Sequence, residues 1–282
     1  MPISERILKM NKTIDSHGVE FGYELQLMLP YCYDLHMRGY NVTVLTSPGM
    51  EPFYFFLPPN NIVIKHMKRR WTKSGSADTP NTQPHVHSLN TKEWQMPDFK
   101  ARYGCFDLKT NFNKPLLLIS NKYQEEWGHS PCNYIDLDTL LYIFTVLSEK
   151  FCIIYNRPCS GNITEDNSTM YNLNDAQLVD QFSDVYDINQ IHEDEDMTFN
   201  QLQLVLLSKC RHKISVQGGN AVLCSLTGGT NAIYAVKGHE LKCNSYQNWY
   251  SMFSDCQITH IKDYASIIRH ADDIIKLQVI ES

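Results

Sequence analysis

Short apolar runs alternate with longer amphipathic stretches along this chain, and the alternation occurs twice. In the first half, residues 6–10, NVTVLT at 41–46 and NIVIKH at 61–66 read as strands. Apolar, β-branched runs of that length, bounded by turn residues, are the pattern of buried strands. Between the first two, residues 22–38 place apolar positions at helical spacing, interrupted near Pro30 and stopped by Gly39. Pro48-Gly49 turns the chain. Residues 68–112 lose the periodicity: KRRWTKSGSADTPNTQPHVH is followed by scattered aromatics. A stretch of that length without regular structure is expected to be a functional or decorating loop.

The pattern then restarts. Strands are predicted at 115–120 (PLLLIS), 151–155 (FCIIY), 185–188, 213–216, 231–236 and 257–261, with helices at 137–150, 174–182, 200–209, 220–226, 246–253 and 264–277. Apolar strands separated by helices predict parallel sheets covered on both faces. The expected architecture is α/β: two Rossmann-like lobes, 1–112 and 113–282, facing a central cleft. In such sheets ligands bind beyond the carboxyl ends of the strands, so the chemistry is expected just after strands.

Composition narrows the function classes. The chain has 282 residues and 43% hydrophobic content, enough for two cores. A net charge of −6 supplies no general basic face, which argues against nucleic acid as a partner. No apolar run approaches the roughly 18–20 residues that span a bilayer, and the first residues lack an apolar signal core. The expectation is a cytoplasmic protein with no membrane span. Nine cysteines without a CxxC pair predict reduced thiols, mostly buried. The sequons at Asn11, Asn41, Asn162 and Asn167 are accidental in that setting.

Candidate chemistry collects at four strand ends. In ISVQGGNAVLCSLTGGTNAIYAV, Gln217-Gly218-Gly219-Asn220 follows a strand and opens a helix. Backbone N–H groups there favour an anion, and glycine admits close approach, although a tight turn explains the same residues. The motif is neither GxGxxG nor a Walker loop. Gly228-Gly229 reads as a helix stop and turn. Asn121, Lys122 and Tyr123 follow the first strand of the second half, and Arg157 the second. Two cations at that edge would neutralise a diphosphate leaving group, unless they are solvated surface charges. Asp15, His17 and Glu20 lie at the first strand–helix junction with Gly18 and Gly22. Glu20 is the first candidate for a general base, then His17, with Asp15 weaker. Helix capping by Ser16 or Asp15, with Glu20 and Glu24 lining the first turn, is the structural alternative. Trp71 in the long loop suits stacking on a sugar.

Metal chemistry is weakly signalled. Asp136-Leu137-Asp138 precedes a helix, where capping explains it, and HEDED at 192–196 reads as a solvated loop. His85 and His87 lack a third ligand at zinc spacing, and no GxSxG occurs.

The segments HGVEFGYELQLMLPYCYDLHMRGYNVTVLTSPGMEPFYFF and SVQGGNAVLCSLTGGTNAIYAVKG resemble GT-B-type glycosyltransferases, in particular the small enzymes of large algal (chlorella) viruses that build capsid-protein glycans and include exostosin-like xylosyltransferases. The resemblance implies a nucleotide-sugar donor, UDP-xylose first, in the C-terminal lobe at Gly218, Gly219 and Asn220. It implies a glycan or glycoprotein acceptor in the N-terminal lobe, around Gly18, Gly22 and Trp71. It also implies inversion by one base in the first lobe, with EFGYEL the segment to search, no tightly bound cofactor, no essential divalent metal, and a last helix, 264–277, that could cross back onto the first lobe. Two rivals follow from the residues: a metal-dependent GT-A-like transferase using Asp136 and Asp138, and a non-catalytic glycan-binding protein.

Overall fold

The structure is a computed structural model and describes residues 10–69, 94–126, 128–157 and 169–281. The chain divides into two compact units, Met1–Pro97 and Asp98–Ser282. The expected strand at 6–10 lies almost wholly outside the described residues, as do most of the long loop, Trp71, His85 and His87.

In the first unit β1 (Asn11–Asp15), β2 (Asn41–Thr46) and β3 (Ile62–Ile64) form a parallel sheet in the order β1-β2-β3. Ile14, Val42 and Val44 are buried at alternate positions, as one covered face requires. The helical run between β1 and β2 has three parts: α1 (Phe21–Tyr23), a π-helical turn (Glu24–Met28) and α2 (Leu29–Met37). Pro30 explains the wide turn. It has no N–H for the Gln26 carbonyl, and its ring would press on that carbonyl in a regular α-turn. The chain widens instead, and Leu29 N–H bonds the Glu24 carbonyl. Gly39 then turns the chain toward β2 at φ +85°.

In the second unit α3 (Phe99–Tyr103) packs on α7 (Phe199–Lys209), where Ser208 Oγ donates to the Phe99 carbonyl at 3.3 Å. Glu195 Oε1 accepts from Lys109 N at 2.8 Å and Thr110 N at 3.0 Å. These bonds are why the division falls before α3 rather than at 112/113. They also revise the reading of HEDED: α6 (Ile188–Asp194) carries its first half, and Glu195 is buried.

Six parallel strands follow: β4 (Leu116–Ser120), β5 (Cys152–Asn156), β6 (Val185–Asp187), β7 (His212–Val216), β8 (Thr230–Tyr234) and β9 (Gln257–Ile261). Their order is β6-β5-β4-β7-β8-β9, so the winding reverses between β4 and β7. α4 (Leu137–Leu147) and α11 (Tyr264–Glu281) close one face, with Leu140, Phe144, Ile267, Ala271 and Ile274 in a common core with Leu117, Ile119 and Ile214. Tyr142 OH donates to Asp272 at 3.1 Å across the two helices. The last helix packs through Ile274 into the core of the second unit. Among the described residues no helix is long and apolar enough to cross a membrane.

Candidate functional site

The reversal between β4 and β7 sets the first group of side chains. Two neighbouring strands whose crossovers run to opposite faces leave a crevice at their carboxyl ends, where ligands bind in such sheets. The chain enters it from β4 as Asn121-Lys122 and from β7 as Gln217-Gly218. Gly218 caps α8 (Gly219–Cys224) at φ +124°, a conformation that L side chains rarely adopt. A Cβ there would stand 3.3 Å from Lys122 Nζ, so the glycine also lets the ammonium lie against the turn. That ammonium donates to Gln217 Oε1 at 3.1 Å and pairs with Glu126 Oε2 at 3.1 Å. Asn133 ties the group together: its amide donates to Glu126 Oε2 at 2.8 Å and Gln217 Oε1 at 3.2 Å. Its carbonyl oxygen accepts from Val236 N at 2.9 Å and Lys237 N at 3.2 Å. Gln217 Nε2 donates to Glu240 Oε1 at 2.9 Å.

Asn121 and Arg157 have other duties. The Asn121 side chain is fully buried and spends its bonds inside the fold, on Ile135 N and O, Lys122 N and Tyr155 OH. Arg157 is ion-paired with the buried Asp175 and donates to the Tyr171 carbonyl at 2.7 Å. Tyr155 OH donates to the same Asp175 at 2.5 Å, and burial followed by that carboxylate pushes the phenol up. Arg157 therefore stabilises a buried carboxylate instead of lying open to an incoming diphosphate. Tyr123 rests edge-on against Tyr134, with ring centres 4.8 Å apart.

The end of β1 sets the second group, in the first unit. Asp15 closes the strand and its Oδ1 meets His17 Nδ1. Both side chains are part-exposed, 21% for His17 and 32% for Asp15. Glu20 is the N-cap of α1, its Oε2 accepting from Tyr23 N at 3.0 Å. The first-choice base thus has a structural task. Gly18 turns at φ +73°, and a Cβ on it would meet Met67 Sδ at 2.7 Å. Gly22 is buried within α1.

Beneath this loop lies a group that the sequence reading missed. Glu24 is fully buried in the π turn. Its Oε1 accepts from Ser16 Oγ at 2.8 Å, Tyr54 OH at 3.1 Å and Thr46 Oγ1. Its Oε2 pairs with Arg69 Nη1 at 2.8 Å, and that nitrogen also donates to the Val19 carbonyl at 2.6 Å. Ser16 lies between Asp15 and His17, and Val19 two residues beyond. The Glu24–Arg69 pair therefore grips the loop on both sides of His17. Burial and then the Glu24 charge push up both the Tyr54 phenol and the Cys32 thiol. The available signal was a glutamate among Leu25, Leu27 and Met28, which implies a buried cation partner.

Asp136 caps α4, accepting from Thr139 N at 2.9 Å, and Asp138 lies in its first turn. Among the described residues no group of three His, Cys, Asp or Glu side chains is placed to hold a metal. Gly228 and Gly229 turn the chain into β8 at φ +70° and +72°, while α8 ends earlier, at Cys224, with Ser225 as its C-cap. The eight described cysteines are free thiols.

The parallel α/β sheets of the two units match solved structures of GT-B fold. Two solved structures carry the likeness over nearly the whole chain. The heptosyltransferase WaaC of E. coli, solved with ADP, matches at a TM-score of 0.53 and 10% identity, over 95% of this chain and 99% of its own. A family 9 glycosyl transferase from Veillonella parvula matches at 0.51 and 9% identity, over 93% of this chain and 89% of its own. No family model and no curated sequence matches the chain.

Proposed function

We propose that the protein is a nucleotide-sugar-dependent glycosyltransferase that inverts the donor's anomeric centre. The observation carrying the reading is Lys122 lying against Gly218 at the β4/β7 reversal, within a chain of GT-B fold. The second unit takes the donor. Its diphosphate lies on residues 218–220, with Gln217 ordering the turn and the Lys122 ammonium balancing the charge that builds on the leaving oxygen. Tyr123 walls the same edge. Arg157 acts at one remove, by fixing Asp175 and the Tyr171 backbone.

The first unit takes the acceptor at the loop holding Gly18 and Gly22. Asp15 orients the His17 ring through Nδ1, and in this reading the imidazole serves as the base. The imidazole takes the proton of the acceptor hydroxyl as the hydroxyl oxygen attacks the anomeric carbon. The bond from that carbon to the phosphate oxygen breaks, and its electron pair leaves with the diphosphate. No step requires a metal ion. UDP-xylose is the first donor and a protein-linked glycan of viral capsid type the first acceptor, on the resemblance of the sequence segments. The test combines a donor screen with and without EDTA, NMR of the product anomer, and His17→Ala. Inversion without added metal and a loss of about 100-fold or more in His17→Ala are expected. Retention of configuration, or full activity in His17→Ala, overturns the mechanism.

A further inference from the structure

Glu126 stands four residues after Lys122, and a closed turn rather than a helix brings the two together. Glu126 N donates to the His129 carbonyl at 3.0 Å and His129 N to the Glu126 carbonyl at 2.9 Å, with Gly128 at φ +75°. The Glu126 side chain is 4% exposed. Its Oε1 accepts from Asn133 N at 3.0 Å and its Oε2 from Asn133 Nδ2 at 2.8 Å, and the same Oε2 lies 3.1 Å from Lys122 Nζ. Asn133 is in turn fixed by Val236 N and Lys237 N. The carboxylate is thus immobilised and removed from solvent screening.

A carboxylate so placed opposes the ligand that the crevice is built to take. The Lys122 ammonium has three N–H donors, and among the described residues Gln217 Oε1 and Glu126 Oε2 are its partners, so a donor remains for a phosphate oxygen. That oxygen and the Glu126 carboxylate then share one ammonium. Glu240, in the first turn of α9 (His239–Lys242), adds a second negative charge. Its Oε1 accepts from Gln217 Nε2 at 2.9 Å, and a Cβ on Gly238 would stand 2.7 Å from its Oε2. Lys237 adds a second cation: burial and then the Glu126 charge raise the Cys132 thiol, and Lys237 and Lys122 both pull it down. Two cations against two carboxylates leave the crevice near neutral, whereas a site shaped for phosphate affinity alone would carry cations only.

We propose that Glu126 is a specificity-determining residue that sets the donor apart from the spent nucleotide: it weakens the grip of Lys122 on a nucleoside diphosphate more than on a nucleotide sugar, and so favours release of the product. This rests on the function proposed above. The difference in charge follows from the bond that breaks. In a nucleotide sugar each phosphate of the diphosphate bears one negative charge, because the sugar esterifies the outer one. When the bond to the anomeric carbon breaks, its electron pair stays on the outer phosphate oxygen, and the acceptor's proton goes to the imidazole. The diphosphate gains one charge, which is retained at neutral pH because a terminal phosphate gives up its second proton at about pH 6. In that reading the new charge forms on the oxygen facing Lys122, the position nearest Glu126. A unit charge added a few ångströms from a fixed, desolvated carboxylate changes affinity by about ten-fold. A donor carrying one charge fewer there is opposed less.

Calorimetry on the full chain measures UDP, GDP and ADP and the glucose derivative of each, with the wild type, Glu126→Gln, Glu126→Met and Glu126→Asp. The first two variants remove the charge by different routes, so one that fails to melt cooperatively leaves the other to decide. For the nucleotide that the wild type binds, each neutral variant is expected to bind the diphosphate about ten-fold more tightly and the nucleotide sugar about three-fold or less, while Glu126→Asp keeps the charge and the wild-type ratio of the two affinities. A tie in the loop with no electrostatic role gives the opposite result, because its loss loosens Lys122 and weakens both ligands together. Weaker binding of both, equal changes in both, or an Asp variant that behaves like the neutral ones overturns the inference. When the wild type binds a nucleotide, such a result leaves the donor reading standing. A wild type that binds none of these ligands overturns that reading, and this inference with it.

Discussion

Replacing Arg69 by Met tests how the loop at the end of β1 is held. Glu24 is 0% and Arg69 4% exposed, so neither charge has solvent to fall back on. Removing one partner of a buried ion pair costs about 3–5 kcal/mol, because the remaining charge stays buried. The distribution of donors sets where in that range the effect falls. Oε1 keeps the hydroxyls of Ser16, Thr46 and Tyr54, while Oε2 loses Arg69, its partner among the described residues. Three retained donors place Arg69→Met near the lower end, about 3 kcal/mol. Glu24→Gln in the Arg69→Met background removes the buried charge and recovers most of the loss, a coupling of about 2 kcal/mol. Urea unfolding read by hydrogen exchange over residues 11–46 isolates the first unit. A single-variant cost below about 0.5 kcal/mol, or simple additivity in the pair, refutes the argument that this ion pair holds the loop.

Other perturbations have equally definite outcomes. Gly229→Ala places a Cβ 2.2 Å from the Arg211 carbonyl oxygen at a positive φ, and a melting-temperature drop corresponding to about 2 kcal/mol or more is expected. Asp136→Ala removes the α4 cap and lowers stability by about 1 kcal/mol, with no change in EDTA sensitivity; loss of a metal requirement in this variant would revive the aspartates as ligands. His270 titrates below its usual range because burial disfavours the charged ring, so the unfolded chain takes up the proton first. Stability from this group is complete above about pH 6.5 and lost as pH falls through its depressed folded value, and His270→Leu flattens that slope in melting curves taken from pH 7.5 to 5.

The sheets were legible because both periodicities stand clear in the sequence. NVTVLT and PLLLIS are bounded by turn residues, and each became a strand within a residue or two of its expected limits. The reading blurred where one local signal served two purposes. Pro30 inside an amphipathic run announces a break, yet the helix accommodates it by widening into a π turn, and that widening carries Glu24. HEDED reads as solvent-facing by charge alone, but Glu195 is drawn inward by two backbone N–H groups more than eighty residues earlier in the chain. Such long-range partners have no local signature.

The site residues divide on the same principle. Gly218 was legible because its need is local: a positive φ between a strand and a helix. Arg157 was legible only as a cation after a strand. What that cation does depends on Asp175, a partner eighteen residues away that spacing does not point to. Glu20 shows the ambiguity in its sharpest form. A carboxylate at the start of a helix satisfies the description of a general base and of an N-cap equally well, and only the bond to Tyr23 N separates them. Once Glu20 is spent on the cap, His17 is the remaining candidate whose neighbour suits it to the work. Asp15 orients it, and Ser16 and Val19 on either side are tied to a buried ion pair, an arrangement that restrains the imidazole through the backbone on both flanks.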